Sequence, residues 1–219
     1  MSDLIYTNGA GLRMFLNTAG SRALSVHVES PHIRFKVTHG HVPQWSLLPI
    51  QYTLELVSED VSGDVYDFIS NYLLGTSYNP TIFNYNMKSA TKSNVLEIID
   101  IVTANLASNY NSLASLCLDF TNLTSVCNID CSRVQYISSM FENCTSLTTI
   151  PTFTNVTTIY QCNKTCYGCT NIESGALALY NQLNALGIQS WAHSQTFYNC
   201  GSNTVAGAAE LAQIPSDWK

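Results

Sequence analysis

Apolar and polar residues alternate over 24–29 (Leu-Ser-Val-His-Val-Glu). They do so again over 32–37, where Ile33, Phe35 and Val37 would face a core and His32, Arg34 and Lys36 the solvent. Ser30-Pro31 between the two runs is a turn signal, so the pattern predicts a β-hairpin. Residues 50–57 (Ile-Gln-Tyr-Thr-Leu-Glu-Leu-Val) read as a third strand. The period then lengthens. Val65, Phe68, Ile69, Tyr72 and Leu73 fall on one helical face, with Ser62 or Asp64 as cap and Gly75 as stop. A second helix is predicted from Asn94, with Glu97 in the capping-box position and Val95, Ile99, Val102 and Leu106 in one stripe. Residues 1–105 are therefore expected to form a small α+β domain.

The second half repeats itself. Ser139-Met140-Phe141-Glu142-Asn143-Cys144-Thr145-Ser146-Leu147 aligns with Ser115-Leu116-Cys117-Leu118-Asp119-Phe120-Thr121-Asn122-Leu123, and Ile150 with Val126. Cys166-Tyr167-Gly168-Cys169-Thr170-Asn171-Ile172 gives a third copy, at nearly the same spacing, and Phe197-Tyr198-Asn199-Cys200 a fourth. The interval from Cys169 to Cys200 is longer than that from Cys144 to Cys169. It accommodates a helix in which Ala176, Leu179, Leu183 and Leu186 form a stripe and Gly187 is the stop. A final helix with Val205, Ala208, Ala209 and Leu211 would close the far end before Pro215. Units of this period, with apolar residues spaced by three, cannot bury their apolar edge alone and must stack. The fold class expected is an α+β N-terminal domain (1–105) followed by a short solenoid of about four irregular leucine-rich repeats (106–219).

The pattern Val134-x-x-Ile137-x-x-Met140-Phe141-x-x-Cys144-x-x-Leu147-x-x-Ile150 resembles the BspA-type leucine-rich repeat, over about residues 113–203. That family occurs on surface proteins of Bacteroidetes and treponemes, in some protists, and in phages and prophages of gut Bacteroidales. The resemblance implies a non-catalytic role in adhesion or protein–protein contact. This chain departs from the family in having few units and a helix within one of them.

Composition narrows the function classes. Of 219 residues only 11% are charged while 46% are hydrophobic, and the formal net charge is −6. Nothing here is built to hold phosphate backbones, so no nucleic acid is expected as a partner. No run approaches the roughly 20 apolar residues that span a bilayer. Met1-Ser2-Asp3-Leu4-Ile5-Tyr6 has neither a basic region nor an apolar core, so export by the classical signal route is not expected. All eight cysteines (Cys117, Cys127, Cys131, Cys144, Cys162, Cys166, Cys169, Cys200) lie in the second half. Without a secretory route they are expected to be mostly reduced and buried.

Candidate chemistry competes with packing as the explanation of each motif. Cys162-x3-Cys166-x2-Cys169 has the spacing of an iron–sulfur motif, yet Cys166 and Cys169 occupy the repeat slots of Phe141 and Cys144, so core packing accounts for them. Zinc would want paired Cys-x2-Cys units, which are missing. His27, His32, His39 and His41 are close in sequence but show no third ligand or outer partner, so no metal and no cofactor are expected. The four Asn-x-Thr sequons at Asn122, Asn143, Asn155 and Asn163 fit turn-forming side chains. There is no nucleophile elbow and no phosphate-binding loop, and carboxylate pairs such as Asp64/Asp67 and Glu59/Asp60 read as cap and loop charges, so no enzyme is expected. Tyr136, Tyr160, Tyr167 and Tyr198 fall in or beside the repeat turns and are the candidate binding residues, since tyrosine couples contact area to a polar tip.

The expectation is a non-enzymatic phage virion protein, its first part attached to the particle and its repeats displayed to bind protein or glycan. Its partners would be other virion proteins, host-surface protein or glycan, or further copies of itself in an assembly. A cell-surface adhesin exported by another route and an intracellular interaction scaffold are the alternatives.

Overall fold

The computed structural model describes residues 31–46, 52–70, 81, 83–84, 86–103 and 110–219, together with short strands at 5–7, 12–15, 25–28 and 75–76. Strands β1 (Ile5–Thr7), β2 (Leu12–Phe15) and β3 (Ser25–Val28) form an antiparallel sheet in that order. The next two strands, β4 (His32–Val37) and β5 (Thr53–Ser58), belong to a different sheet with β6 (Asp64–Ile69). The hairpin predicted between 24–29 and 32–37 does not form: β3 pairs with β2, and β4 with β6 and with a later strand. A strand whose alternate residues Ile33, Phe35 and Val37 are all fully buried takes the centre of a sheet, where it needs two partners.

Both predicted helices of the first half are strands. Residues 64–69 are β6, antiparallel to β4 and β5. After β7 (Gly75–Thr76) and one helical turn, α1 (Ser89–Lys92), residues 95–102 are β8 (Val95–Val102), antiparallel to β4 on its other side. Runs such as Val65-Tyr66-Asp67-Phe68-Ile69 and Ile98-Ile99-Asp100-Ile101-Val102 satisfy a period of 3.6 or of 2 over so short a span. Their β-branched and aromatic content, and the ladder bonds offered by β4, decide for strand. Tyr72, Leu73 and Leu106 lie outside the described residues. On one face of the sheet Phe35 meets Phe83 with ring centres 5.0 Å apart, and Phe68 meets Trp45 at 5.0 Å and Tyr52 at 5.1 Å. The other face carries cross-strand ion pairs. Arg34 donates from Nε and Nη2 to the two carboxylate oxygens of Asp67, each at 2.7 Å, and Lys36 lies 3.6 Å from Glu97. Of the three residues expected to point outward here, Arg34 and Lys36 are half-buried and His32 is buried.

The short strand β9 (Tyr110–Ser112) pairs with β7, and from Leu113 onward the chain runs in windings that hydrogen-bond to the next. The amides of Leu113, Ser115, Cys117 and Asp119 donate to the carbonyls of Tyr136, Ser138, Met140 and Glu142 at 2.8–2.9 Å. Those of Ile137, Ser139, Phe141 and Asn143 donate to Gln161, Asn163, Thr165 and Tyr167, and those of Cys162, Lys164, Cys166 and Gly168 to Ala192, Ser194, Thr196 and Tyr198. Left-handed backbone recurs in the same register: Ser115, Ser139, Lys164 and Gln195 have φ of 55–58°, and Asp119, Asn143, Gly168 and Asn199 have φ of 56–70°. Each set of four follows the alignment read from the sequence. Gly168 stands where the other windings have Asp or Asn, and its φ of 70° is one that glycine adopts without strain. Leu123, Leu147 and Ile172 are each fully buried.

β10 (Ser125–Val126) adds in parallel to β8, so the first winding extends the sheet, and Phe83 bridges the two with its ring 6.1 Å from that of Phe120. β11 (Ile129–Asp130) and β12 (Phe153–Thr154) pair in parallel one winding apart. α2 (Ala176–Asn184) forms where its stripe predicts, burying Ala176, Leu179 and Leu183. α3 (Val205–Gln213) forms too, but of its predicted face only Leu211 packs, half-buried against the core: Val205 is 92% exposed, Ala208 and Ala209 are exposed, and the buried residue is Gly207. The last winding is closed instead by Ile214 and Trp218, whose carbonyl accepts from the Phe197 amide at 2.9 Å.

Candidate functional site

The buried face of the windings explains their cysteines. Cys144 and Cys169 occupy one slot in successive windings, and each thiol donates to a carbonyl of the winding before: Cys144 Sγ to Cys117 O at 3.1 Å and Cys169 Sγ to Phe141 O at 2.9 Å. A side chain that fills an apolar slot and still offers one weak donor suits that place. Burial pushes these thiols away from ionisation, Cys127, Cys131 and Cys162 to about 12, and Cys117, Cys144, Cys166 and Cys169 well above the usual range. All eight cysteines are free thiols, seven of them buried. No group of three His, Cys, Asp or Glu side chains among the described residues could hold a metal ion.

His27 lies in β3, His32 is buried in β4, and His41 Nε2 is 3.2 Å from Thr91 Oγ1. His39 Nδ1 is 2.7 Å from Asp64 Oδ1, while the Gly40 amide donates to Asp64 Oδ2 at 2.7 Å. The hydrogen bond with Asp64, and then its charge, raise His39 above its ordinary 6.5; the same bond and that from Gly40 lower Asp64 below 3.8. The His39 contribution is complete below pH 6.5 and is lost as pH rises through the raised value. That of Asp64 is complete above pH 3.8 and is lost as pH falls through the lowered one. The pair should therefore stabilise most between about pH 4 and 6.5. In thermal melts across pH, His39→Leu should fall furthest below wild type inside that window and approach it at higher pH. An unchanged difference at all pH values would rule out the pair as its source.

The four tyrosines fall into two pairs. Tyr167 and Tyr198 hold the same slot of adjacent windings and stack at 4.9 Å with planes 17° apart, with Lys164 Nζ 5.2 Å from the Tyr167 ring centre. Tyr136 and Tyr160 approach to 6.4 Å at 54° and share an open cleft of about 470 Å³. The other wall of that cleft follows α2, with Leu186, Ile188, Gln189 and Trp191, and its lining includes Thr157 and Thr158. Tyr160 is 59% exposed and Trp191 64%. Every residue lining the cleft is uncharged at neutral pH. The walls are held from beneath: the Tyr160 amide donates to Gln135 O at 2.7 Å, and Thr158 Oγ1 to Val134 O at 3.3 Å.

Trp191 is a member of the cleft that the sequence reading missed. Its signal was present, since it stands as far after Tyr160 as Cys200 does after Cys169. A second cleft, of about 380 Å³, is lined by Thr124, Ser125, Asn128, Thr148 and Thr149 among others and has no aromatic residue. No described helix is long and apolar enough to cross a membrane. No family model, no curated protein and no solved structure matches the chain.

Proposed function

We propose that this chain is a non-enzymatic structural and adhesion protein of a phage particle, its windings forming a short leucine-rich-repeat solenoid of the BspA type that displays a binding surface. Residues 1–105 serve as the part that attaches to the particle and 106–219 as the part displayed. The observation that carries the binding role is the cleft between Tyr136, Tyr160 and Trp191. Two large aromatic side chains stand exposed in a concavity, on backbone tied to the neighbouring winding. Exposed tryptophan and tyrosine forgo burial worth roughly 1.5–3 kcal/mol each, the scale for a large apolar side chain. Such rings cluster at recognition surfaces, where they give contact area with few torsions to freeze. The lining has no cysteine, serine, histidine or carboxylate, which supports holding a ligand over transforming one. The virion setting rests on the resemblance of the repeat pattern to that family.

Two measurements test the reading. An antibody raised against the full-length chain should label purified particles from a lysate; labelling confined to cells would overturn the virion assignment. The double variant Tyr160→Ala/Trp191→Ala should keep the wild-type melting temperature within about 2 °C, because both side chains are exposed, yet bind host cells at least about tenfold more weakly. Full retention of binding would remove the cleft from the recognition surface.

A further inference from the structure

We infer that the cleft between the 157–160 segment and the 186–191 segment takes a neutral glycan, with Tyr160 and Trp191 as stacking platforms for successive sugar rings. This rests on the adhesion reading above and narrows its ligand. The volume, about 470 Å³, falls within the range of about 300–1,000 Å³ typical of ligand clefts. Its chemistry is mixed in a particular way. Tyr160 and Trp191 supply flat apolar faces, and Thr157, Thr158 and Gln189 supply hydroxyl and amide groups around them. A pyranose ring is the complement: one apolar C–H face for an aromatic platform and a rim of hydroxyls that both donate and accept.

Charge discriminates further. With no ionised side chain in the lining, an anionic sugar would leave its carboxylate without a partner, and a charged peptide segment would fare no better. Tyr160 and Trp191 are equivalent residues of adjacent windings, so the platforms repeat along the direction in which the windings stack. The cleft is open, so a chain can pass through it and need not end there. The other aromatic pair, Tyr167 and Tyr198, stacks face to face and sits beside Lys164, leaving no gap between the rings for a ligand.

The full-length protein should be titrated with neutral oligosaccharides built from glucose, mannose or N-acetylglucosamine, and with a uronic-acid oligosaccharide as the charged counterpart. Binding is read by calorimetry and by protection of tryptophan fluorescence from acrylamide. Of the three tryptophans only Trp191 is largely exposed, so protection reports on the cleft. At least one neutral oligosaccharide should bind and shield Trp191. Trp191→Ala should weaken that binding about tenfold or more, Trp191→Phe should retain most of it, and Val205→Ala, at an exposed residue outside the cleft, should leave it unchanged. Binding of none of the neutral sugars, preference for the uronic acid, or indifference to Trp191→Ala would each overturn the assignment. If no neutral sugar binds and Trp191→Ala still abolishes adsorption to host cells, the adhesion reading stands and the cleft takes a protein. If Trp191→Ala affects neither, both readings fall.

Discussion

Cys144→Asp is expected to destabilise the protein by several kcal/mol, on the order of 3–5 kcal/mol, because it places a carboxylate where no water and no cation can reach it. Cys144 is fully buried, between Phe120 of the winding before and Cys169 of the winding after, which hold its slot. Its thiol donates to Cys117 O at 3.1 Å. An ionised carboxylate has no proton to donate and would face that carbonyl oxygen with like charge. Burial already drives the native thiol away from ionisation, and the same desolvation would act on the stronger acid. The new carboxyl would stay protonated in the fold to a pH above its unfolded value. Its excess cost is therefore smallest in acid and grows as pH rises. Cys144→Ala is the control: it loses the weak hydrogen bond and leaves a small void, about 1–2 kcal/mol. Urea unfolding of the three proteins at neutral and mildly acidic pH checks the order. A Cys144→Asp variant within about 1 kcal/mol of Cys144→Ala at neutral pH would mean that water reaches the slot.

The cysteine row is also where the sequence was most legible. The alignment of Cys144, Cys169 and Cys200 rests on three properties of the chain repeating together: spacing, polarity and size. A packed winding constrains all three at once, so the signal survives in the sequence. The same intervals return in the amide–carbonyl ladder and in the paired left-handed residues. The first half lacked such redundancy. Residues 64–69 and 95–102 fit two periods, and the choice between them was made by β4, which lies far off in sequence. The hairpin failed for a related reason. Adjacent runs pair only when neither has a better partner, and the core face of β4 was completed by Phe68 of β6 and Ile98 of β8.

For the candidate site, tyrosine identity was legible and tyrosine grouping was not. Tyr136 and Tyr160 belong to neighbouring windings, and it is the loop after α2 that brings Trp191 across to them. That loop exists because the third winding is longer than the others, a feature visible in the sequence as the wide interval from Cys169 to Cys200. Its consequence was hidden, since an insertion's path is set by where its helix packs. The predicted stripe of α3 was misread for a simpler reason. Leu211 packs against the core, but Val205, Ala208 and Ala209 are single apolar residues that tolerate exposure, and the closest approach of the helix is marked by a glycine.

Gly207→Ala is expected to destabilise by about 2–3 kcal/mol, against the direction of helix propensity. In an unconstrained helix interior, alanine would be favoured over glycine by about 1 kcal/mol. Here α3 lies against the third winding so closely that an added Cβ would collide with the carbonyl oxygen of Ile172. It would also stand 2.6 Å from Gly201 Cα and 2.7 Å from Thr204 Oγ1. None of these is the far end of a flexible side chain. Thr204 is held on both sides, donating from Oγ1 to Ile172 O at 2.7 Å and accepting from the Gly207 amide at 3.0 Å as the helix cap. Gly201 is held as well, its amide donating to Cys169 O at 2.9 Å. The helix must therefore lift. Lifting it withdraws Glu210, whose carboxylate accepts from the Leu177 amide at 3.0 Å and so caps the first turn of α2. It also pulls on Ile214 and on Trp218, which stacks on His193 with ring centres 3.9 Å apart. Steric strain and these lost contacts together outweigh the propensity gain. The reverse exchange at the solvent-facing Ala212 of the same helix, Ala212→Gly, isolates propensity and should cost about 0.5–1 kcal/mol. Chemical denaturation followed by tryptophan emission checks both, with the Gly207→Ala protein red-shifted before the main transition as Trp218 loosens. A Gly207→Ala variant more stable than wild type would show that α3 does not pack closely on Ile172.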